Sequence, residues 1–259
     1  MTPVLAFDIE TAPDCDGLRR LYDLDPGLTD KDVAEIAFQR RRTAANHDFL
    51  QLHQHRVIAI ACALREGDGF RVWSLGTPED SEAELIRRFF DGIEKYTPQL
   101  VSWNGGGFDL PVLHYRSLLH SVTAARYWEM GDSDHSFRFS NYLSRFHWRH
   151  MDLMDILSGF QGRGRASLDD IATLLGFPGK VGMHGADVWP AYLQGGLARI
   201  RDYCETDVLN TYLIYLRFEL LRGHLNAAEH AHEVARVRKM LSESTAEHLR
   251  EFSAAWPAT

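Results

Sequence analysis

Apolar residues recur along this chain at two periods, and the switches between them mark its elements. Pro3-Val4-Leu5-Ala6-Phe7-Asp8-Ile9-Glu10 is apolar enough for a buried strand. Arg56–Leu64 and Phe70–Leu75 read as two further strands joined about Gly67-Asp68-Gly69, a hairpin signature. Glu82–Tyr96 takes helical spacing, Leu100–Trp103 returns to strand, and Leu110–Leu119 to helix. Ile200, Tyr203, Val208, Tyr212, Leu213 and Leu216 recur at intervals that predict a long helix. Leu225–Phe252 predicts a polar helix with Val234, Val237, Leu241 and Leu249 at roughly helical steps. Asp14–Gln54 is polar with helical pieces, and residues 120–150 are irregular. This order predicts an α/β fold: a mixed β-sheet flanked by α-helices.

Three segments place acids where chemistry is possible. On a strand, residues two apart share a face, so Asp8 and Glu10 project side by side. Two carboxylates that close repel each other and resist desolvation, a conflict that a cation resolves. Alone, the pair also fits a strand whose acids leave the sheet into solvent. Leu100-Val101-Ser102-Trp103-Asn104-Gly105-Gly106-Gly107-Phe108-Asp109 predicts a strand, a glycine turn and a helix led by Asp109, with Pro111 in its first turn. Asn104 either braces this turn or touches a ligand, and Phe108 offers a face for stacking an unpaired base. Read structurally, Asp109 is an ordinary helix cap and the glycines serve only the turn. In Tyr203-Cys204-Glu205-Thr206-Asp207, tyrosine and aspartate lie four apart, one helical turn, and address one site. The alternative is a half-buried tyrosine beside a solvated aspartate. Taken jointly, the four acids suit hard Mg²⁺ or Mn²⁺, two of which can hold the attacking and leaving oxygens of a displacement at phosphorus.

In this order FDIET, NGGGFD and YCETD resemble the three motifs of the DEDDy 3′-5′ exonucleases, the group that includes the proofreading domain of family-B DNA polymerases. The stretch from Gly176 to Gly223 is similar to the stand-alone bacterial exonucleases related to that domain. The resemblance implies a ribonuclease H-like fold, with residues 1–223 as the exonuclease domain and 224–259 as a helical extension packed on it. It implies that Asp8, Glu10, Asp109 and Asp207 bind two divalent ions, with Asp8 bridging them, and that Tyr203 orients the attacking water. It further implies release of 5′-mononucleotides from the 3′ end of a single-stranded nucleic acid, DNA favoured over RNA. Thr11 and Phe108, with Asn104, are the candidates for holding the terminal nucleotide. Two rivals are kept: an idle nucleic-acid-binding module on the same fold, and a metal-independent hydrolase using Asp8 and Glu10 as an acid–base pair.

The rest of the chain bounds this reading. At 259 residues, 45% hydrophobic and 25% charged, it suits a single domain. No stretch approaches the roughly 18 apolar residues of a membrane span. The N-terminus enters a strand at once, and Cys15, Cys62 and Cys204 show no pairing or C-x-x-C spacing. A cytoplasmic protein is expected. His53/His55, His147/His150 and His230/His232 lack the partners of a zinc site. A net charge of −8 argues against coating nucleic acid non-specifically, though not against gripping a short 3′ end. Interleaved arginines and aromatics between Phe137 and Arg149 either track a single strand or fold over the core. Arg163, Arg165 and Lys180 are candidate phosphate contacts. Asp152 or Asp155 either assists the metal site or caps the next helix.

Overall fold

A computed structural model describes residues 2–257. Among them are five strands: β1 (Val4–Pro13), β2 (His55–Glu66), β3 (Gly69–Ser74), β4 (Gln99–Ser102) and β5 (His150–Asp152). The helices are α1 (Cys15–Tyr22), α2 (Asp30–Ala45), α3 (Glu82–Tyr96), α4 (Asp109–His120), α5 (Leu153–Leu157), α6 (Leu168–Leu174), α7 (Val188–Leu193), α8 (Leu197–Leu221), α9 (Ala227–Glu243) and α10 (Glu247–Ala255). The sheet runs β3-β2-β1-β4-β5, with β1–β2 and β2–β3 antiparallel and β1–β4 and β4–β5 parallel. This mixed sheet with helices on both faces is the ribonuclease H-like α/β arrangement.

Strand alternation decides what each face carries. Leu5, Phe7 and Ile9 pack with Ile86, Phe89, Ile93 and Leu113 of α3 and α4. Phe7 lies 5.0 Å from Phe89, ring centre to ring centre. Val4 and Ala6 face the other way, and with Ala61, Ala63 and Val101 they make a nearly flat floor for α8. Asp8 and Glu10 continue that same face.

Helix α8 is buried almost all round from Tyr203 to Leu216, not on one stripe. Its outer side is covered by α6, α9 and α10; Val237 and Leu241 of α9, Leu249 and Phe252 of α10, and Trp256 just beyond it join the same core cluster. The single helix expected over Leu225–Phe252 is two. Ser244 leaves helical geometry with its backbone extended, and its hydroxyl accepts from the Ala246 amide, so the chain turns before α10 begins. The break lets Leu249 and Phe252 reach α8. A buried ion pair ties α9 to the sheet: Arg65 meets Glu233 through two hydrogen bonds, 2.6 and 2.8 Å.

The segment from 120 to 150 folds over the core. Tyr127, Phe137 and Tyr142 are buried against the α3/α4 side, and Arg149 covers the Phe137 ring at 3.9 Å. Phe139, Phe146 and Trp148 remain exposed. No helix among the described residues is long and apolar enough to cross a membrane.

Candidate active site

β1 runs on past Glu10 to Pro13, because β2 keeps pairing with it as far as His55. On its other side β4 pairs only with Val4, Leu5 and Ala6. Asp8 and Glu10 therefore sit mid-strand, not at its end, where β1 has lost one neighbour and a crevice opens beyond the end of parallel β4. The Ile9 amide points into that gap with no strand to receive it. It donates instead to Asp109 Oδ1 at 3.1 Å, so one carboxylate both closes the sheet edge and enters the site.

Asp109 arrives there on a tightly built loop. The helix cap is Phe108, without a side-chain bond, and Asp109 is the first residue inside α4, where the helix dipole favours a negative charge. Asp152 Oδ1 accepts from the Asn104 amide and Oδ2 from the Gly106 amide, each at 2.9 Å. It also caps α5, whose Asp155 amide it accepts at 3.3 Å. Asp152 thus pins the turn, and Asp155 pairs with Arg145 and Arg165 instead. Asn104 adopts a left-handed backbone, φ 67°, and its carbonyl accepts from Gly107 and Phe108. Glycine is needed at 105, where a Cβ would lie 2.3 Å from Ser102 Oγ.

From α8, Tyr203 and Asp207 face the same crevice, both buried. Lys180, on the loop before α7, donates to the Tyr203 hydroxyl and lies 3.6 Å from Asp207 Oδ2. Cys204 donates to Asp8 Oδ2 at 3.3 Å, and ligand atoms of Asp8, Glu10 and Cys204 lie within 4.8 Å of one another. Asp207 Oδ1 is buried without a hydrogen-bond partner among the described residues.

The electrostatics follow from four carboxylates facing one cation. Burial, then Asp109, Glu10 and Asp207, push the Asp8 carboxyl far above its ordinary range. Glu10 is raised by burial and by Asp207, partly offset by Lys180. Asp109 rises to about 7 through burial, although its own amide and that of Ile9 favour the charged form. Asp207 is raised by burial against the pull of Lys180. Burial and the same acids raise the Tyr203 phenol, and burial raises the Cys204 thiol, which stays protonated. Such a cluster either takes up protons or binds cations. All donors but the thiol are oxygens, and Asp207 Oδ1 is free, which fits hard divalent ions.

Beside Glu10 a bulge in the β1–β2 pairing re-aims the next residue. Thr11 meets His55 Nδ1 through a 2.9 Å hydrogen bond, and the Phe108 ring stands edge-on to His55 at 5.2 Å. Phe49, more than half exposed, completes this wall 5.6 Å from Phe108.

Four of these placements do not follow from the sequence. Lys180 is a phosphate candidate with no assigned place, Cys204 shows only the lack of a partner cysteine, His55 is weighed only as a zinc ligand, and Phe49 is not singled out. Only the glycines around Lys180 hinted at a loop able to approach a site.

A family model described as "Predicted 3'-5' exonuclease related to the exonuclease domain of PolB" matches residues 47–256, about four-fifths of the chain. The chain belongs to this family. Membership makes it a predicted nuclease, with nucleic acid as substrate. The matched residues include Asp109, Tyr203 and Asp207, while Asp8 and Glu10 precede them. The chain is also similar to "DNA polymerase 1" of Sulfurisphaera ohwakuensis, 51% identical over 43 residues. That stretch is 17% of this chain and 5% of the polymerase's length.

Proposed function

We propose that this protein is a two-metal 3′-5′ exonuclease that hydrolyses single-stranded nucleic acid from its 3′ end and releases 5′-mononucleotides. One observation carries the reading: Glu10, Asp109 and Asp207, from three separate segments, all lie close enough to the buried Asp8 carboxyl to raise its proton affinity. Asp8, Glu10, Asp109 and Asp207 would hold two Mg²⁺ or Mn²⁺ ions. When bound, these supply Lewis-acid stabilisation of the charge that develops on the attacking and leaving oxygens.

The chain's own residues do the rest. Tyr203, one turn from Asp207, presents its hydroxyl to orient the attacking water, and Lys180 fixes that hydroxyl. Water oxygen bonds to phosphorus as the bond from phosphorus to the 3′ oxygen breaks. The water yields a proton to solvent, and the departing 3′ oxygen takes one up from solvent. Thr11, Asn104 and Phe108 hold the terminal nucleotide, with Phe108 under its base and Thr11 oriented by His55. DNA is favoured over RNA because the family is related to a DNA polymerase's exonuclease domain.

The test is hydrolysis of a 3′-labelled oligonucleotide with Mg²⁺ or Mn²⁺. Activity should vanish with EDTA and in Asp8→Ala. Hydrolysis surviving EDTA would favour the acid–base pair, and binding without hydrolysis the idle module. Matched DNA and RNA oligomers, single- and double-stranded, test the substrate assignment.

A further inference from the structure

A second cleft, of about 500 Å³, lies along the loop that delivers Asp109. Gly106 and Gly107 line it, so no side chain separates it from that loop, and Asp152 contributes to its floor. Its lining combines aromatic faces and guanidinium groups. Trp128, half exposed, is held from behind by His114 at 4.9 Å and Tyr127 at 5.4 Å, leaving indole surface free. Arg145 lies 4.8 Å over the Phe160 ring and 2.5 Å from Asp155, and Arg165 reaches the same carboxylate at 3.1 Å. Two guanidinium groups thus share the Asp155 carboxylate, while the second carboxylate of the lining, Asp152, is taken up by the Asn104 and Gly106 amides.

We propose that this cleft is an upstream nucleotide subsite. It takes one nucleotide of the strand whose 3′ end occupies the carboxylate crevice, and the assignment rests on the exonuclease reading above. Trp128 stacks on the base, while Arg145 and Arg165 contact the phosphate. A base reaches Trp128 only when unpaired, so the subsite selects single strands. The orderly packing of Trp128 on His114 and Tyr127 means that little side-chain freedom is lost when a base docks.

The experiment compares two substrates on the full chain with divalent metal: an oligothymidylate, and the p-nitrophenyl ester of thymidine 5′-monophosphate, which has no upstream nucleotide. Trp128→Ala and Arg145→Ala alter exposed side chains outside the carboxylate site. Trp128→Ala should raise the oligonucleotide KM at least about fivefold, the lower bound for one lost stacking contact. Arg145→Ala should raise it in the same direction. Ester hydrolysis should change less than about twofold, since stacking worth that fivefold is absent there. An unchanged oligonucleotide KM in both variants overturns the subsite. So does an equal loss on the ester, which would mean that the substitutions act through the Asp109 loop. If the unaltered protein cleaves neither substrate, the exonuclease reading itself fails. Fluorescence anisotropy of the oligonucleotide then decides the cleft separately: weaker binding in both variants sustains it, and equal binding overturns it.

Discussion

Without metal, Asp109 is a charge that the fold would be more stable without. Its carboxyl rises from 3.8 to about 7, chiefly through burial. Each factor of ten in proton affinity is worth about 1.4 kcal/mol, so the rise amounts to about 4 kcal/mol of destabilisation in the ionised folded state. The sign follows from linkage. Below about 3.8 the group is protonated in both states and adds nothing. Between there and about 7 the folded state holds the proton more tightly, and stability falls as pH rises. Above about 7 the penalty is full and constant. Asp109→Asn keeps an oxygen for the Ile9 amide and removes the charge. In EDTA at pH 8 the variant should therefore be more stable by up to about 4 kcal/mol, and at pH 5 by less than half of that. Urea unfolding at the two pH values measures both. With saturating Mg²⁺ or Mn²⁺ the order should narrow or reverse, because only the unaltered site keeps its full set of acids. A variant less stable than the parent at pH 8 in EDTA would refute the picture of a strained, cation-seeking cluster.

Three further outcomes follow from other contacts. Tyr203→Phe should lower kcat about 10²-fold or more while leaving Mn²⁺ affinity by calorimetry nearly unchanged; an unaltered rate would strip the hydroxyl of its role. Gly105→Ala should cost about 1–3 kcal/mol, because its Cβ would lie 2.3 Å from Ser102 Oγ, which is itself held by His150 at 2.8 Å; a neutral result in urea unfolding would show that the loop can shift freely. Arg65→Ala should cost about 2–3 kcal/mol by leaving the Glu233 carboxylate to Arg236 alone, 3.5 Å away, and limited proteolysis should then cut first around α9. Cleavage elsewhere would mean that α9 is held by its apolar face alone.

Much of this fold was legible because its signals are local. The helix over Glu82–Tyr96 and the turn at Gly67-Asp68 follow from spacing and turn chemistry within a few residues. Motif order predicts one shared site for Asp8, Glu10, Asp109 and Asp207, and period two alone sets Asp8 and Glu10 on the α8 face. What escaped the sequence was non-local. That β4 stops pairing at Ala6, opening the crevice, depends on two strands far apart in the chain. Lys180 reaches Tyr203 across a loop whose path no spacing encodes. Of the two readings open for Phe137–Arg149, Phe137 and Tyr142 follow the one that folds over the core, because Arg126 and Arg149 lie over the Phe137 ring and cover the core with their own stems. The break at Ser244 hides within a pattern that keeps helical steps on both sides.

The arrangement around the acids also explains why α8 is packed so completely. A helix held on one face alone could tilt away and let Asp207 escape its like-charged neighbours. Here the flat alanine floor beneath α8 and the covering of α9 and α10 above it leave no outward path. The Arg65–Glu233 pair fastens that cover to β2, one strand away from β1. Asp109 is restrained in a different way, since moving it would orphan the Ile9 amide at the sheet edge. Packing on one side and hydrogen bonding on the other thus oppose several kcal/mol of carboxylate repulsion. The two carriers of Asp207 and Asp109 are immobilised by independent means, so loosening either α9 or the glycine turn should relax the site before it unfolds the sheet.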